Sequence, residues 1–291
     1  MIRPNKLLYN LFRPSAKLVR YYVHPQAWIG GQIFSSFGIK VKRDNFSGIP
    51  GAIFTPRKNV NTKSIIFYLH GGGYCFGSSL TTHKVGLTKL AKQTGSVCYS
   101  VDYRLAPEHQ YPAALDDALT AWKHIVSQNP NCNIILAGDS AGGGLSLALM
   151  MYLRDNNEQI PDGLVLFSPW TDLTCSGETY ETKANYDPMF TTNMTKDCAN
   201  IYVPEDVKKT DPYISPLYGD FTNLPRTLVL VGGNEILLDD SRLFAQKAEK
   251  SGVDIEIDIW PSMFHDWWLF GSFIPETKQV LDKVTNWINN D

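Results

Sequence analysis

From about residue 51 onward the chain alternates between two kinds of segment, and this alternation restricts the available folds more than any other feature. Short apolar, β-branched or aromatic runs occur at 51–55, 64–69, 97–101, 134–137, 164–167, 227–231 and 253–260. Helix-length amphipathic stretches lie between several of them, at about 80–94, 112–128, 141–154 and 241–251. Strand and helix in this order predict an α/β fold, a mostly parallel central sheet with helices on both faces. Runs that are apolar throughout, Ile65–Leu69 and Ile134–Ala137, suit central strands buried on both sides. In the last run Val253, Ile255, Ile257 and Ile259 alternate with Asp254, Glu256 and Asp258, which predicts a strand near the sheet edge with one face in water. Residues 168–226 break the rhythm with Pro, Asp, Thr, Asn and Tyr and hold no convincing strand. An insertion there predicts a lid over the carboxyl ends of the strands, within a catalytic domain spanning 46–291.

Composition removes several function classes. With 27 Lys+Arg against 29 Asp+Glu the net charge is −2, without the basic excess that nucleic acid demands. No uninterrupted apolar stretch approaches the roughly 20 residues of a bilayer span. The five cysteines, at 75, 98, 132, 175 and 198, include no CxxC pair. Neither a metal site nor a disulfide framework is expected, and a reducing, cytoplasmic compartment is. The first 43 residues are exceptional: they hold eight basic side chains and no acid, leaving 19 basic against 29 acidic in the rest. Residues 7–22 have apolar side chains at broadly helical spacing, but Arg13 and Pro14 interrupt what would be the centre of a secretory signal. Residues 1–45 are read as a cap segment, a helix packed on the main domain. A basic amphipathic helix of this kind also suits a membrane surface.

Gly138-Asp139-Ser140-Ala141-Gly142 matches G-x-S-x-G, follows the predicted strand 134–137 and opens a helix through Leu145, Leu149 and Leu153. That is the context of a nucleophile elbow. The turn is so sharp that Ser140 must adopt a strained backbone, while glycines at 138 and 142 remove side chains that would collide. A second signal, His70-Gly71-Gly72-Gly73, follows the strand 64–69. An oxyanion hole needs backbone N–H groups facing a cavity free of side chains, which a glycine run supplies. Gly72 and Gly73 are the expected donors together with the N–H of Ala141, and Gly71 shapes the turn. A phosphate cradle is disfavoured, because neither a Lys-Ser/Thr pair nor GxGxxG is present.

In α/β-hydrolase order the acid and then the histidine follow the serine. Of six histidines only His265 lies beyond Ser140, in the loop after the predicted strand 253–260. Glu235 comes first after the strand 227–231 and is the expected acid, whereas Asp239 and Asp240 suit the start of the helix 241–251 as caps.

Together these residues resemble the hormone-sensitive-lipase-like branch of the α/β-hydrolase esterases. The resemblance extends to Tyr103–His109 with Pro112–Ala114 and Asp116-Asp117, to Asp211-Pro212-Tyr213-Ile214-Ser215-Pro216, to Asn234–Asp240 and to Met263–Asp266, covering about residues 51–291. Many members of the branch have Asp where Glu235 stands. The resemblance implies that the second and third glycines of the His-Gly-Gly-Gly motif hold the oxyanion with Ala141, and that Glu108 and Asp211 fix loops. The expected function is a cofactor-free serine hydrolase acting on small-molecule carboxylic esters of short to medium acyl chains. Ser140 would attack, His265 act as base and Glu235 orient it, through an acyl-enzyme. An amidase or lactonase would use the same machinery, and a non-catalytic binding protein on this fold usually lacks a triad member. Trp170, Trp267, Trp268 and Phe190 are candidates either for pocket walls or for core packing.

Overall fold

The computed structural model describes residues 16–290; the part of the 7–22 pattern before Ala16 lies outside them. Its eight-stranded sheet has the order β1-β2-β4-β3-β5-β6-β7-β8. The strands are β1 (Ile39–Phe46), β2 (Ile49–Pro56), β3 (Asn61–Leu69), β4 (Ser96–Val101), β5 (Asn133–Asp139), β6 (Gly163–Phe167), β7 (Thr227–Gly232) and β8 (Ile255–Trp260). Strands β3 to β8 are mutually parallel, and β2 is antiparallel to both of its neighbours. β8 forms an edge, as its alternation predicts. β1 has no apolar run to announce it; Ser47-Gly48, both at positive φ, turn it back on β2 as a two-residue hairpin.

Helices α1 (Ala16–Phe34), α2 (Lys84–Thr94), α3 (Ala113–Gln128), α4 (Ser140–Asp155), α5 (Thr179–Thr182), α6 (Thr192–Tyr202), α7 (Leu238–Lys250) and α8 (Glu276–Asn289) complete the chain, with 3-10 turns at Pro216–Tyr218 and Trp267–Phe273. Alternate strand residues feed two cores. Ile65, Phe67 and Leu69 face one that holds Trp122 of α3, Leu145 of α4 and Phe244 of α7. Ile66 and Tyr68 face the other, built on Leu87 and Leu90 of α2 and on Val280, Leu281 and Val284 of α8. The continuous apolar strands are therefore covered on both sides, the condition for a parallel sheet. The acidic face of β8 meets more than water: Lys283 of α8 lies 2.8 Å from both Glu256 and Asp258.

Packing decides one open alternative and corrects one expectation. Trp170, Trp267 and Trp268 are fully buried core residues rather than pocket walls. Asp239 and Asp240 do not cap the helix they open, which begins at Leu238 without a side-chain cap. Asp240 instead accepts the amides of Thr171 and Asp172, each at 2.9 Å, and Asp239 accepts that of Thr179 at 3.0 Å. Both carboxylates tie down the start of the 168–226 segment, which contains α5 and α6 and no strand.

Helix α4 passes β3 with no room to spare. A Cβ on Gly142 would stand 2.1 Å from the Leu69 carbonyl oxygen and 2.5 Å from that of His70. Because these atoms are backbone, Gly142→Ala is expected to lower unfolding free energy by about 3 kcal/mol or more, read from urea denaturation. A loss below about 1 kcal/mol would mean that helix and strand move apart easily.

Candidate active site

Three parallel strands, β5, β7 and β8, deliver the predicted triad residues to one end of the sheet. Ser140 follows β5, Glu235 follows β7 and His265 follows β8. Ser140 has φ 51°, the strained left-handed backbone expected of an elbow. Gly138 allows the turn to close, since a Cβ there would lie 2.4 Å from the Gly142 oxygen. Asp139, the N-cap of α4, makes no cap bond with its side chain. The first amides of the helix, Ala141 included, therefore remain open to a negative charge.

The glycine loop lies beside this helix start. The amide of Gly71 is occupied, donating to Asp139 Oδ1 at 3.0 Å, whereas among the described residues those of Gly72 and Gly73 donate to nothing. Gly72 has φ +118°, and a Cβ there would fall 2.0 Å from the Phe76 oxygen. Gly73, at φ +59°, packs against Cys198 of α6. Gly71 thus anchors the loop, while the two amides predicted as donors are free.

The acid and the imidazole are in direct contact: Glu235 Oε1 lies 3.1 Å from His265 Nδ1. The second oxygen of Glu235 accepts from Ser168 Oγ and from the Gly232 amide, each at 2.8 Å, so the carboxylate is saturated and its orientation fixed. Both residues are buried. The other imidazole nitrogen, Nε2, is buried with no hydrogen-bond partner, and among the described residues none joins Ser140 Oγ either. Catalytic hydrogen bonds commonly tighten only when substrate binds. Phe190 stands edge-on to His265, with ring centroids 5.0 Å apart. Of the four aromatic candidates it alone reaches the site.

Several functional neighbours escaped the sequence reading. Asp187 accepts the amides of Met189 and Phe190 on one oxygen and that of Ile236 on the other, tying the turn that carries Phe190 to the acid loop. Beneath the elbow, Asp139 binds His83 Nε2 at 3.0 Å and the Tyr68 hydroxyl at 2.5 Å. Burial opposes charge on both partners, but the His83 charge holds Asp139 down to about 2, and Asp139 raises the pKa of His83. His70 has a packing role: it stacks on Tyr103 at 4.4 Å, and burial lowers its pKa to about 4. Asp266, at φ 51°, places Oδ2 3.0 Å from His265 Nε2, without the alignment of a hydrogen bond. His70, Asp139 and Asp266 lie within motifs, but which partners they meet is set by tertiary contact alone, and no motif marks Asp187 or His83.

Charge around the imidazole follows from this crowding. Burial disfavours the imidazolium, but the Asp266 and Glu235 charges outweigh it and raise the His265 pKa well above its ordinary value. Burial, reinforced by Asp139 and opposed by His265, pushes Asp266 up to about 8. The pair accordingly titrates as a unit that shares a proton near neutrality. Chemically the arrangement offers a hydroxyl at a helix N-terminus, two free loop amides and an imidazole held by a carboxylate. Those are the parts of acyl transfer.

The fold and this end of the sheet define an α/β-hydrolase. The chain belongs to the alpha/beta hydrolase fold family, whose model matches residues 66–269, and within it to the hormone-sensitive-lipase-like branch. It is 35% identical over 248 residues to an esterase of Acinetobacter venetianus, covering 84% of this chain and 80% of that protein. It is 33% identical to an ethyl acetate hydrolase of Pseudomonas putida, covering 75% and 70%. The crystal structure of an esterase from the bacterial hormone-sensitive lipase family superposes with a TM-score of 0.87 at 33% identity, covering 94% of this chain and 91% of that one.

An imidazolium cannot accept a proton, so kcat/KM for an uncharged ester is expected to rise with pH as the His265–Asp266 pair loses its last proton. The midpoint should lie above the ordinary 6.5 of histidine. Asp266→Asn removes a carboxylate charge while keeping a side chain tolerant of left-handed backbone, and should move the midpoint down. A pH–rate profile of both proteins checks this, and an unmoved midpoint would show that Asp266 does not act on the imidazole.

Proposed function

We infer that the protein is a carboxylesterase, a serine hydrolase that cleaves small-molecule esters of short to medium acyl chains without a cofactor. The observation that carries the reading is a buried histidine fixed by Glu235 through Nδ1, at the same sheet end as a strained serine on an uncapped helix. Ser140 attacks the ester carbonyl while His265 takes its proton. The amides of Gly72, Gly73 and Ala141 receive the charge that develops on the carbonyl oxygen. His265 then protonates the leaving alcohol, and water activated by the same imidazole releases the acid from Ser140. Glu235 holds the working tautomer and steadies the imidazolium.

Residues 168–226 act as a lid, and the segment 1–45 as a cap beside it. Three contacts support the lid: Cys198 against Gly73, Tyr202 stacked on Tyr74 at 3.8 Å, and Phe190 on His265. Substitutions in α6 would therefore be felt at the oxyanion loop. Five free thiols fit a reducing, cytoplasmic location. Among the described residues no helix is long and apolar enough to cross a membrane.

Ser140→Ala should lower kcat/KM on short p-nitrophenyl esters by about ten-thousandfold or more, and a fluorophosphonate should label Ser140 alone by mass spectrometry. Near-full hydrolysis in that variant would contradict the assignment. Glu235→Gln should cost about a thousandfold, and Asp239→Asn less than about fivefold. The reverse order would move the acid. Rates on matched ester, lactone and anilide substrates distinguish an esterase from a lactonase or amidase.

A further inference from the structure

Helix α1 is amphipathic with its apolar side turned outward. Tyr22, Ile29 and Ile33 follow one another at i, i+7 and i+11, a single line along a helix, and each is more than half exposed. The side toward the body is small and polar. Of α1 only Ala16 and Gly31 are buried; Gly31 lies against Lys84, Arg20 bonds the Ala106 oxygen and Glu108, and His24 accepts the amide of Gly77. The apolar line continues beyond the helix. Trp28 flanks it, Phe37 is 91% exposed, and Phe34 packs edge-on against Phe273 of the Trp267–Phe273 turn, itself 63% exposed. Apolar side chains on one helix row and an adjoining turn, all facing water, form a patch of the kind that marks an interaction surface.

Charge selects the partner. The first 43 residues carry eight basic groups and no acid, although the chain as a whole is slightly negative; Lys17 and Arg20 are met by Glu108 and Lys42 by Asp44, so the attraction rests on the remaining basic groups. Lys84, beside Gln32, and Lys89, beside Ser272, border the patch, and among the described residues neither pairs with a carboxylate. Tyr21, Tyr22 and Trp28, all exposed, are suited to the headgroup level of a bilayer, where aromatic rings with a polar edge concentrate. An exposed apolar row with aromatic flanks, bordered by Lys84 and Lys89, matches a fluid anionic surface.

We propose that the exposed face of α1, extended by Phe37 and Phe273, docks this protein on anionic lipid membranes, lying in the headgroup region without crossing it. Docked so, the protein would meet ester substrates that partition into the bilayer. The proposal does not require the assignment of the catalytic residues.

The full chain is mixed with vesicles of phosphatidylcholine alone or with about 30% phosphatidylglycerol, and bound protein is measured by flotation. Binding to the anionic vesicles is expected, weakened about tenfold or more by high salt and by the paired substitution Ile29→Ser with Ile33→Ser. Phe37→Ser with Phe273→Ser, on separate elements, should weaken it as well, which guards against a folding artefact in α1. Hydrolysis of a water-soluble ester and the melting temperature should be unchanged in both variants. Absence of binding, or equal binding to neutral vesicles at all salt concentrations, overturns the proposal. So does a dimer in light scattering that the Ile29/Ile33 variant abolishes, because the face would then be occupied by a second copy.

Discussion

The closeness of α4 to β3 underlies the rest of the site. Gly142 allows the helix to start within contact of the Leu69 and His70 carbonyls, and Gly138 allows the turn before it to close on Gly142. With the helix so placed, the residue between strand and helix has no relaxed backbone available, and Ser140 stands at φ 51°. The same approach brings the helix start beside the loop that leaves β3, so free amides from two elements share one place. A group of free amides and a serine on strained backbone are thus two consequences of one close contact. The strain of about 1–3 kcal/mol at such a residue persists because a sheet buried on both faces leaves the turn nowhere to relax.

Beneath and beside the elbow the protein buries charges in pairs. Asp139 could have capped α4; instead its carboxylate binds His83, the Tyr68 hydroxyl and the Gly71 amide, which locks the glycine loop to the turn that carries Ser140. Glu235 is held on both oxygens, by Ser168 and Gly232 on one and His265 on the other. Three residues near this end besides Ser140 also take left-handed backbone, Tyr74, Ser168 and Asp266. Their unfavourable conformations are maintained by a surrounding structure that is elsewhere well packed, which is where functional strain is expected to collect.

How much of this the sequence revealed depends on whether a residue's role is set by its neighbours in the chain or by those in space. The central strands were legible because burial on both faces leaves a continuous apolar run, as in Ile65–Leu69. β1 was not, because Lys40, Lys42, Arg43 and Asp44 on an edge strand look like a loop; its pairing rests on the Ser47-Gly48 turn. That Ser140, Glu235 and His265 would meet at one end of the sheet could be read from order along the chain, since each follows a strand of one parallel sheet. The contacts of Asp187, Asp139 and Asp266 could not, because an acid in a turn or at a strand end carries no mark of the partner it will meet. The tryptophans show the same limit differently: Trp267 and Trp268 directly follow His265 and its neighbour Asp266, yet they turn into the second core, while Phe190, distant in sequence, reaches the imidazole.

Asp266 poses a further physical question, since a second carboxylate beside a catalytic base works against it when ionised. Its charge favours the imidazolium, the form unable to accept the serine proton. The structure offers a resolution in the burial of Asp266 and the nearness of Asp139, whose low pKa keeps it negative and discourages a second charge alongside. Burial pushes the Asp266 carboxyl up to about 8, so it competes with the imidazole for a proton and its negative charge is held less firmly. On this argument burial of Asp266, reinforced by the ionised Asp139 beneath it, weakens the charge that would otherwise hold His265 protonated, and the imidazole becomes able to accept a proton once the pair has lost its last one.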